Sequence, residues 1–201
     1  MNAQELNVFN HFLDGKKLPL LEEIHEQPSE LILVAVKEEL IRKEFMSDSD
    51  HFTAMGARIG QRLRDYKDAE KHVQFDLLYL GYLPDREYVQ ILYNPFNQEY
   101  RLERGGGELT VTDIHSFYPF LEFCKAEQEK EVLLSANLSE EYPVSADRKI
   151  YIRTEKQGKQ VSKELFFEWD FSLYLYDYLE KRLQILRKDH WIQKILERIN
   201  R

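Results

Sequence analysis

The sequence holds one cysteine in 201 residues, Cys124, which excludes an intrachain disulfide framework and suits a reducing compartment such as the cytoplasm. A lone thiol needs a base and an orienting group to act as a nucleophile. Cys124, between Phe123 and Lys125 in a helical pattern, reads instead as a small buried residue. The six histidines, His11, His25, His51, His72, His115 and His190, stand singly, with no HxxxH or HExxH spacing and no Cys/His cluster. No serine sits in a nucleophile elbow. No window reaches the roughly 20 apolar residues that span a bilayer, and the opening MNAQELNVF lacks the basic and apolar regions of a secretory leader. Repeats of 20 to 50 residues and low-complexity tracts are missing too. With these gaps the sequence nominates no catalytic residues, no metal site and no cofactor, and the expectation is a non-enzymatic protein.

Hydrophobic residues make up 43% and charged residues 32%, a composition that folds rather than stays disordered, and the length suits one domain over residues 1–201. The net charge of −8 gives no global pull toward nucleic acid and favours a basic partner. The charge is uneven: residues 171–201 carry seven Lys and Arg against four Asp and Glu, so a basic end follows an acidic body. Lys and Arg near helix C-termini complement the helix dipole, and Asp177, Glu180, Asp189 and Glu197 dilute them, so neither a nucleic acid nor a membrane is expected as partner.

The pattern predicts an α+β fold, with a central antiparallel sheet of about five to six strands, a helical N-terminal part and long C-terminal helices. In residues 1–70, Asn2 precedes Glu5 by three and caps a helix carrying Leu6, Phe9, Phe12 and Leu13, which Gly15 stops. A short helix follows from Pro19 through Ile24. ELILVAV, at 30–36, suits a strand or a helix; the charged continuation to Phe45 favours helix. Asp50 is expected to cap a helix to Tyr66 with Phe52, Met55, Ile59 and Leu63 in one stripe. Its Gly56 and Gly60 cost helix propensity and so imply close approach by another element. Asp48 and Asp50 are spaced like alternate metal ligands, but the Gly and bidentate Glu of a calcium loop do not follow, so the run reads as a turn.

Residues 73–126 read as the sheet core and a helix. Val73 to Leu80 is one strand, Glu87 to Tyr93 the next, and Asn94-Pro95-Phe96-Asn97 a turn into Glu99–Leu102. Gly105-Gly106-Gly107 is flanked by Glu103 and Glu108 and followed by an apparent strand, so it reads as a hairpin turn rather than a phosphate loop. Thr112 or Asp113 caps a helix bearing Phe117, Phe120, Leu121 and Cys124. Leu138 to Asp147 reads as a loop. Residues 145–201 then supply a hairpin turning near Gly158, a long helix capped by Asp170 with Phe171, Tyr174, Leu175, Tyr178 and Leu179 on one face, and a final helix with Trp191, Ile195 and Ile199.

Two constellations could carry function. Asp113 and His115 place a carboxylate near an imidazole, an arrangement more common as a helix cap beside a surface histidine. Tyrosine is abundant, with 12 in the chain, and supplies rigid amphipathic contact area at binding surfaces. A tyrosine- and acid-lined patch of Tyr82, Asp85, Glu87, Tyr88, Tyr100, Glu103 and Glu108 would suit a basic protein partner.

The order of features over residues 73–126 resembles the core of the SUKH superfamily, the group that includes Smi1/Knr4-type bacterial immunity domains. The residues that carry it are the strand end Leu80-Gly81, the strand and turn Ile91-Leu92-Tyr93-Asn94-Pro95, the returning strand Glu99 to Leu102, and the helix entry Ser116-Phe117-Tyr118-Pro119-Phe120-Leu121. The resemblance departs at Asn97-Gln98, where a glycine is expected, and at Pro119, and it leaves both ends of the chain unaccounted for. It implies an α+β domain that binds and neutralises a toxin, often a nuclease or deaminase, from the same locus. With the acidic body of this chain, the expected partner is a basic toxin domain such as a nuclease. The alternatives are a small hydrolase or transferase with dispersed carboxylates, and a scaffold that self-associates through its C-terminal helices.

Overall fold

The computed structural model describes residues 1–22, 24, 27–48, 50–113, 130–133, 148–169 and 172–200. They form two compact units, Met1–His72 with Leu77–Gly106, and Val73–Asp76 with Gly107–Arg201. The class is α+β with antiparallel ladders, and the described residues hold nine strands rather than five or six.

In the first unit, α1 (Ala3–Leu13) starts at the expected capping box: the Glu5 amide donates to Asn2 Oδ1 at 2.8 Å and the Asn2 amide to Glu5 Oε2 at 3.0 Å. The segment after Gly15 is a series of turns rather than a short helix, with Leu20 at positive φ so that Leu18, Leu20, Leu21 and Ile24 all reach the interior. ELILVAV opens α2 (Glu30–Arg42), capped by Ser29. Helix α3 (Ala54–Asp68) is capped by Thr53, not Asp50, through a 3.1 Å bond from the Gly56 amide to the Thr53 hydroxyl. Asp48 orders the preceding turn by accepting from the amides of Asp50 and His51. Both expected glycine approaches are present: the Phe45 carbonyl lies against Gly56, and Leu13 and Phe9 lie over Gly60.

The expected strand Val73–Leu80 is two strands, β1 (Lys71–Phe75) and β2 (Leu78–Tyr82), because Asp76 takes a positive φ and turns the chain. A 3-10 turn at Pro84–Arg86 leads to β3 (Glu87–Asn94), which returns as β4 (Glu99–Gly106). In the ladder β4-β3-β2, Tyr82 faces Tyr88 and Ile91 faces Leu102. One face, with Val89, Ile91, Tyr100 and Leu102, closes on Leu6 and Phe9 of α1, Val36 and Leu40 of α2, and Leu63 and Tyr66 of α3. Each fully buried side chain of this cluster contributes about 1.5–3 kcal/mol relative to exposure.

The glycine run is not a hairpin tip. Gly105 and Gly106 end β4, paired with Tyr88 and Glu87, and Gly105 is needed because the Tyr88 ring lies across it, 2.5 Å from where a Cβ would stand. No strand follows at Glu108: residues 111–113 are helical, and Thr110 is the cap, its amide donating to Asp113 at 2.6 Å and the Asp113 amide returning to the Thr110 hydroxyl at 3.4 Å.

In the second unit, the first strand is β5 (Lys130–Leu133). Strands β6 (Arg148–Lys156) and β7 (Lys159–Trp169) form the expected hairpin, turning at Gln157 and Gly158, both at positive φ. The long helix expected from Phe171 is a second hairpin, β8 (Ser172–Asp177) and β9 (Arg182–Leu186), turning through residues 178–181. Leu173 and Leu175 point inward while Tyr174 and Tyr176 are half-buried, so the period of two in SLYLYD prevails over the 3–4 stripe. Among the described residues from 172 on, only α4 (Lys188–Asn200) is helical, burying Trp191, Ile195 and Ile199, with Trp191 edge-on to Phe166 at 5.8 Å. The expected helix of Phe117, Phe120, Leu121 and Cys124, the Ser116 entry, His25, His115, the 138–147 loop and the Asp170 cap lie outside the described residues.

Candidate protein-binding site

The seven residues expected to line a patch are dispersed. Tyr82 and Tyr88 pair across β2 and β3 with ring centroids 6.2 Å apart, and the Lys71 ammonium sits 4.6 Å from the Tyr82 ring. Glu103 is on the same sheet face, but it accepts from Gln90 at 2.9 Å and meets Arg101 at 2.7 Å. Glu87 is held by Arg104, which also reaches Asp65 of α3 at 3.3 Å. Asp85 stands exposed in the 3-10 turn at positive φ, next to Arg86. Tyr100 faces the core, 5% exposed, its ring 4.8 Å from Tyr93. Glu108 is exposed and belongs to the second unit. Arg86, Arg101 and Arg104 offset Asp85, Glu87 and Glu103 on one hairpin, so this surface is not the acidic field that the sequence suggests.

The other chemical candidates are likewise engaged. Asp113, the carboxylate of the expected Asp-His pair, is bound by both the amide and the hydroxyl of Thr110. Among the C-terminal cations, the Arg198 guanidinium donates from Nε to both oxygens of the buried Glu164 at 2.8–2.9 Å. Glu164 raises the Arg198 pKa by accepting these bonds, against the opposing effect of burial. Lys194 donates to Gln184 at 2.8 Å, and Arg182 meets Glu180. Among the described residues no group of His, Cys, Asp or Glu is arranged to hold a metal ion, and no helix is long and apolar enough to cross a membrane.

Helix α2 offers what the sheet does not. It buries Val36 and Leu40, yet Leu31 is 85% exposed, Val34 59%, and Ile41 and Ile32 more than a third. At 100° per residue, Leu31, Val34 and Ile41 fall at i, i+3 and i+10, on the side of the helix away from Val36 and Leu40. Beside Ile41 the face runs into an open groove of about 410 Å³ between the end of α2 and the start of α3. The groove is lined by Ile41, Glu44, Met46, Ser47, Thr53, Ala54 and Met55, and Met55 is itself 43% exposed. Thr53 fixes the groove wall by donating from its hydroxyl to the Glu44 carbonyl at 2.6 Å. Scattered exposed apolar residues are ordinary, but a contiguous stripe is the signature of an interaction surface.

Sequence reasoning passed over this face, although its signal is present: ELILVAVKEELI is apolar on more sides than one core contact requires. No curated protein matches the chain. The family model of a domain of unknown function, DUF5081, matches residues 1–199, and the chain belongs to that family.

Proposed function

We propose that this protein is a non-enzymatic binding module that takes up a protein partner on the apolar face of α2. The observation that carries the reading is the exposure of Leu31, Val34 and Ile41 on one side of a helix whose opposite side is already anchored in a core, with the exposed Met55 of α3 in the groove beside Ile41. The sequence resemblance to immunity domains supplies the specific form: the partner is a toxin encoded beside this protein, and binding neutralises it. Burying a fully exposed leucine on association yields about 1.5–3 kcal/mol, so one such residue shifts affinity by roughly tenfold or more.

The test is co-purification of the protein with the product of the neighbouring gene, together with rescue from that product's toxicity. Wild type is expected to bind and rescue, and Leu31→Asp and Val34→Asp to lose both while unfolding at the wild-type urea concentration. Failure of any neighbouring product to bind, or full rescue by both variants, would sink the reading.

A further inference from the structure

The occupant of the α2 face follows from its backbone and its rim, on the premise that this face is the docking surface. An α-helix presents no unpaired N–H or C=O groups along its flank, so an extended peptide laid there would bury its own backbone polar groups without partners. A second helix satisfies its backbone internally and needs only a matching apolar stripe. From Leu31 to Ile41 the stripe is about 15 Å long, roughly three turns.

The rim then selects the charge of that helix. Every cation of α2 and its C-terminal cap is engaged: Arg42 by Glu39 at 2.6 Å, Lys43 by the buried Glu5 at 2.8 Å, and Lys37 by Asp50 at 3.8 Å. The carboxylates of Glu30, Glu38 and Glu44 have no partner among the described residues. Glu38 stands within the stripe, four residues after Val34 and three before Ile41, and Glu44 lines the groove. What remains unbalanced on α2 and its cap is therefore negative, and the exposed Arg58, one turn beyond Met55, lies on α3. A second copy of the chain docking face to face would oppose carboxylate to carboxylate, and an anionic lipid surface would be repelled. We infer that the partner element is an amphipathic helix whose apolar stripe is flanked by lysine or arginine, recognised by Leu31 and Val34 through burial and by Glu38 and Glu44 through charge.

Two synthetic helical peptides with one leucine stripe, flanked by lysine in one and glutamate in the other, test this by fluorescence anisotropy against the full chain. The lysine peptide is expected to bind wild type about five- to tenfold more tightly at low salt, the worth of two exposed ion pairs, and to lose that margin at high salt. In Glu38→Lys/Glu44→Lys the preference reverses. Leu31→Asp adds negative charge yet weakens the lysine peptide, which a diffuse attraction to an acidic protein would not do. Leu31-dependent binding with no preference between peptides overturns the charge assignment and leaves the docking face standing. Lysine-peptide binding that Leu31→Asp strengthens overturns both. Binding of neither peptide overturns the helix as occupant, and toxin rescue then decides the docking face alone.

Discussion

Replacing Gly56 and Gly60 by alanine, one at a time, separates two effects that act in opposite directions on α3. Alanine is favoured over glycine in a helix interior by about 1 kcal/mol, so propensity alone has Gly60→Ala stabilising and Gly56→Ala, in the first turn, mildly so. At Gly60 the new methyl meets Leu13 Cδ2 at 3.0 Å and Phe9 Cε1 at 3.7 Å, and the end of a leucine side chain can rotate away. At Gly56 it would stand 2.9 Å from the carbonyl carbon of Phe45 and closer still to its oxygen, and a backbone carbonyl has no rotamer to change. Moving residues 44–46 aside breaks the bond from the Thr53 amide to the Phe45 carbonyl, 3.1 Å, and that from the Thr53 hydroxyl to Glu44, each worth about 1 kcal/mol. With overpacking costs of about 1–3 kcal/mol, Gly56→Ala is expected to destabilise by roughly 2–4 kcal/mol and Gly60→Ala to stay within about 1 kcal/mol of wild type. Urea unfolding followed by far-UV circular dichroism reads this, since α1 to α3 supply most of the helix among the described residues. Both tryptophans, Trp169 and Trp191, belong to the second unit, so their fluorescence follows that unit rather than α3. Equal stability of Gly56→Ala and wild type, or equal losses in both variants, would refute the close approach.

Two further measurements probe charge. Arg198→Met leaves the Glu164 carboxylate, 1% exposed, without its guanidinium and is expected to cost about 3 kcal/mol, the low end for a broken buried pair because the Arg198 side chain is 34% exposed. Glu164→Leu/Arg198→Met should recover most of that loss, and tryptophan-monitored unfolding that finds the double variant no better than the single one contradicts a charge-burial cost. His51 is held protonated above its ordinary pKa of 6.5 by a hydrogen bond and attraction from the Asp48 carboxylate 2.8 Å away. A raised folded-state pKa means that the pair's contribution is complete below the unfolded value near 6.5 and is lost as pH rises through the folded one. An NMR titration should place the His51 midpoint above 6.5 and Asp48→Asn should lower it; an unchanged midpoint in the variant removes Asp48 as the cause.

The sequence made local chemistry legible where one signal acted alone. Asn2 with Glu5 gave the capping box, Gly158 the hairpin turn, and Gly56 with Gly60 the close approaches, because each needs a residue type that few other conformations favour. It misled where two periods were superimposed. Phe171, Tyr174, Leu175 and Tyr178 fit a helical stripe, while Leu173, Leu175, Tyr174 and Tyr176 fit an alternating strand. Pairing with β7 on one side and β9 on the other decides for the strand, and neither partner is visible in the local pattern. The glycine run failed for a related reason: three glycines suggest a tip, but what Gly105 accommodates is the Tyr88 ring from the neighbouring strand.

The same limit explains why the candidate patch moved from the sheet to a helix. A list of acids and tyrosines close in sequence says nothing about which cations the fold brings to them, and Arg101 and Arg104, on the same strand as Glu103, neutralise that hairpin from within. For α2 the argument runs the other way. Its run of apolar residues is more than one core contact can absorb: Val36 and Leu40 go inward, so Leu31, Val34 and Ile41 are left outside by the 100° turn per residue alone. An exposed apolar stripe carries a risk of aggregation unless something covers it, and Glu30, Glu38 and Glu44, unpaired among the described residues, discourage self-contact around it. In the proposed complex the apolar residues supply affinity for any helix, whereas Glu38 and Glu44 select among helices by charge, so on that proposal affinity and specificity rest on different side chains and separate under mutation.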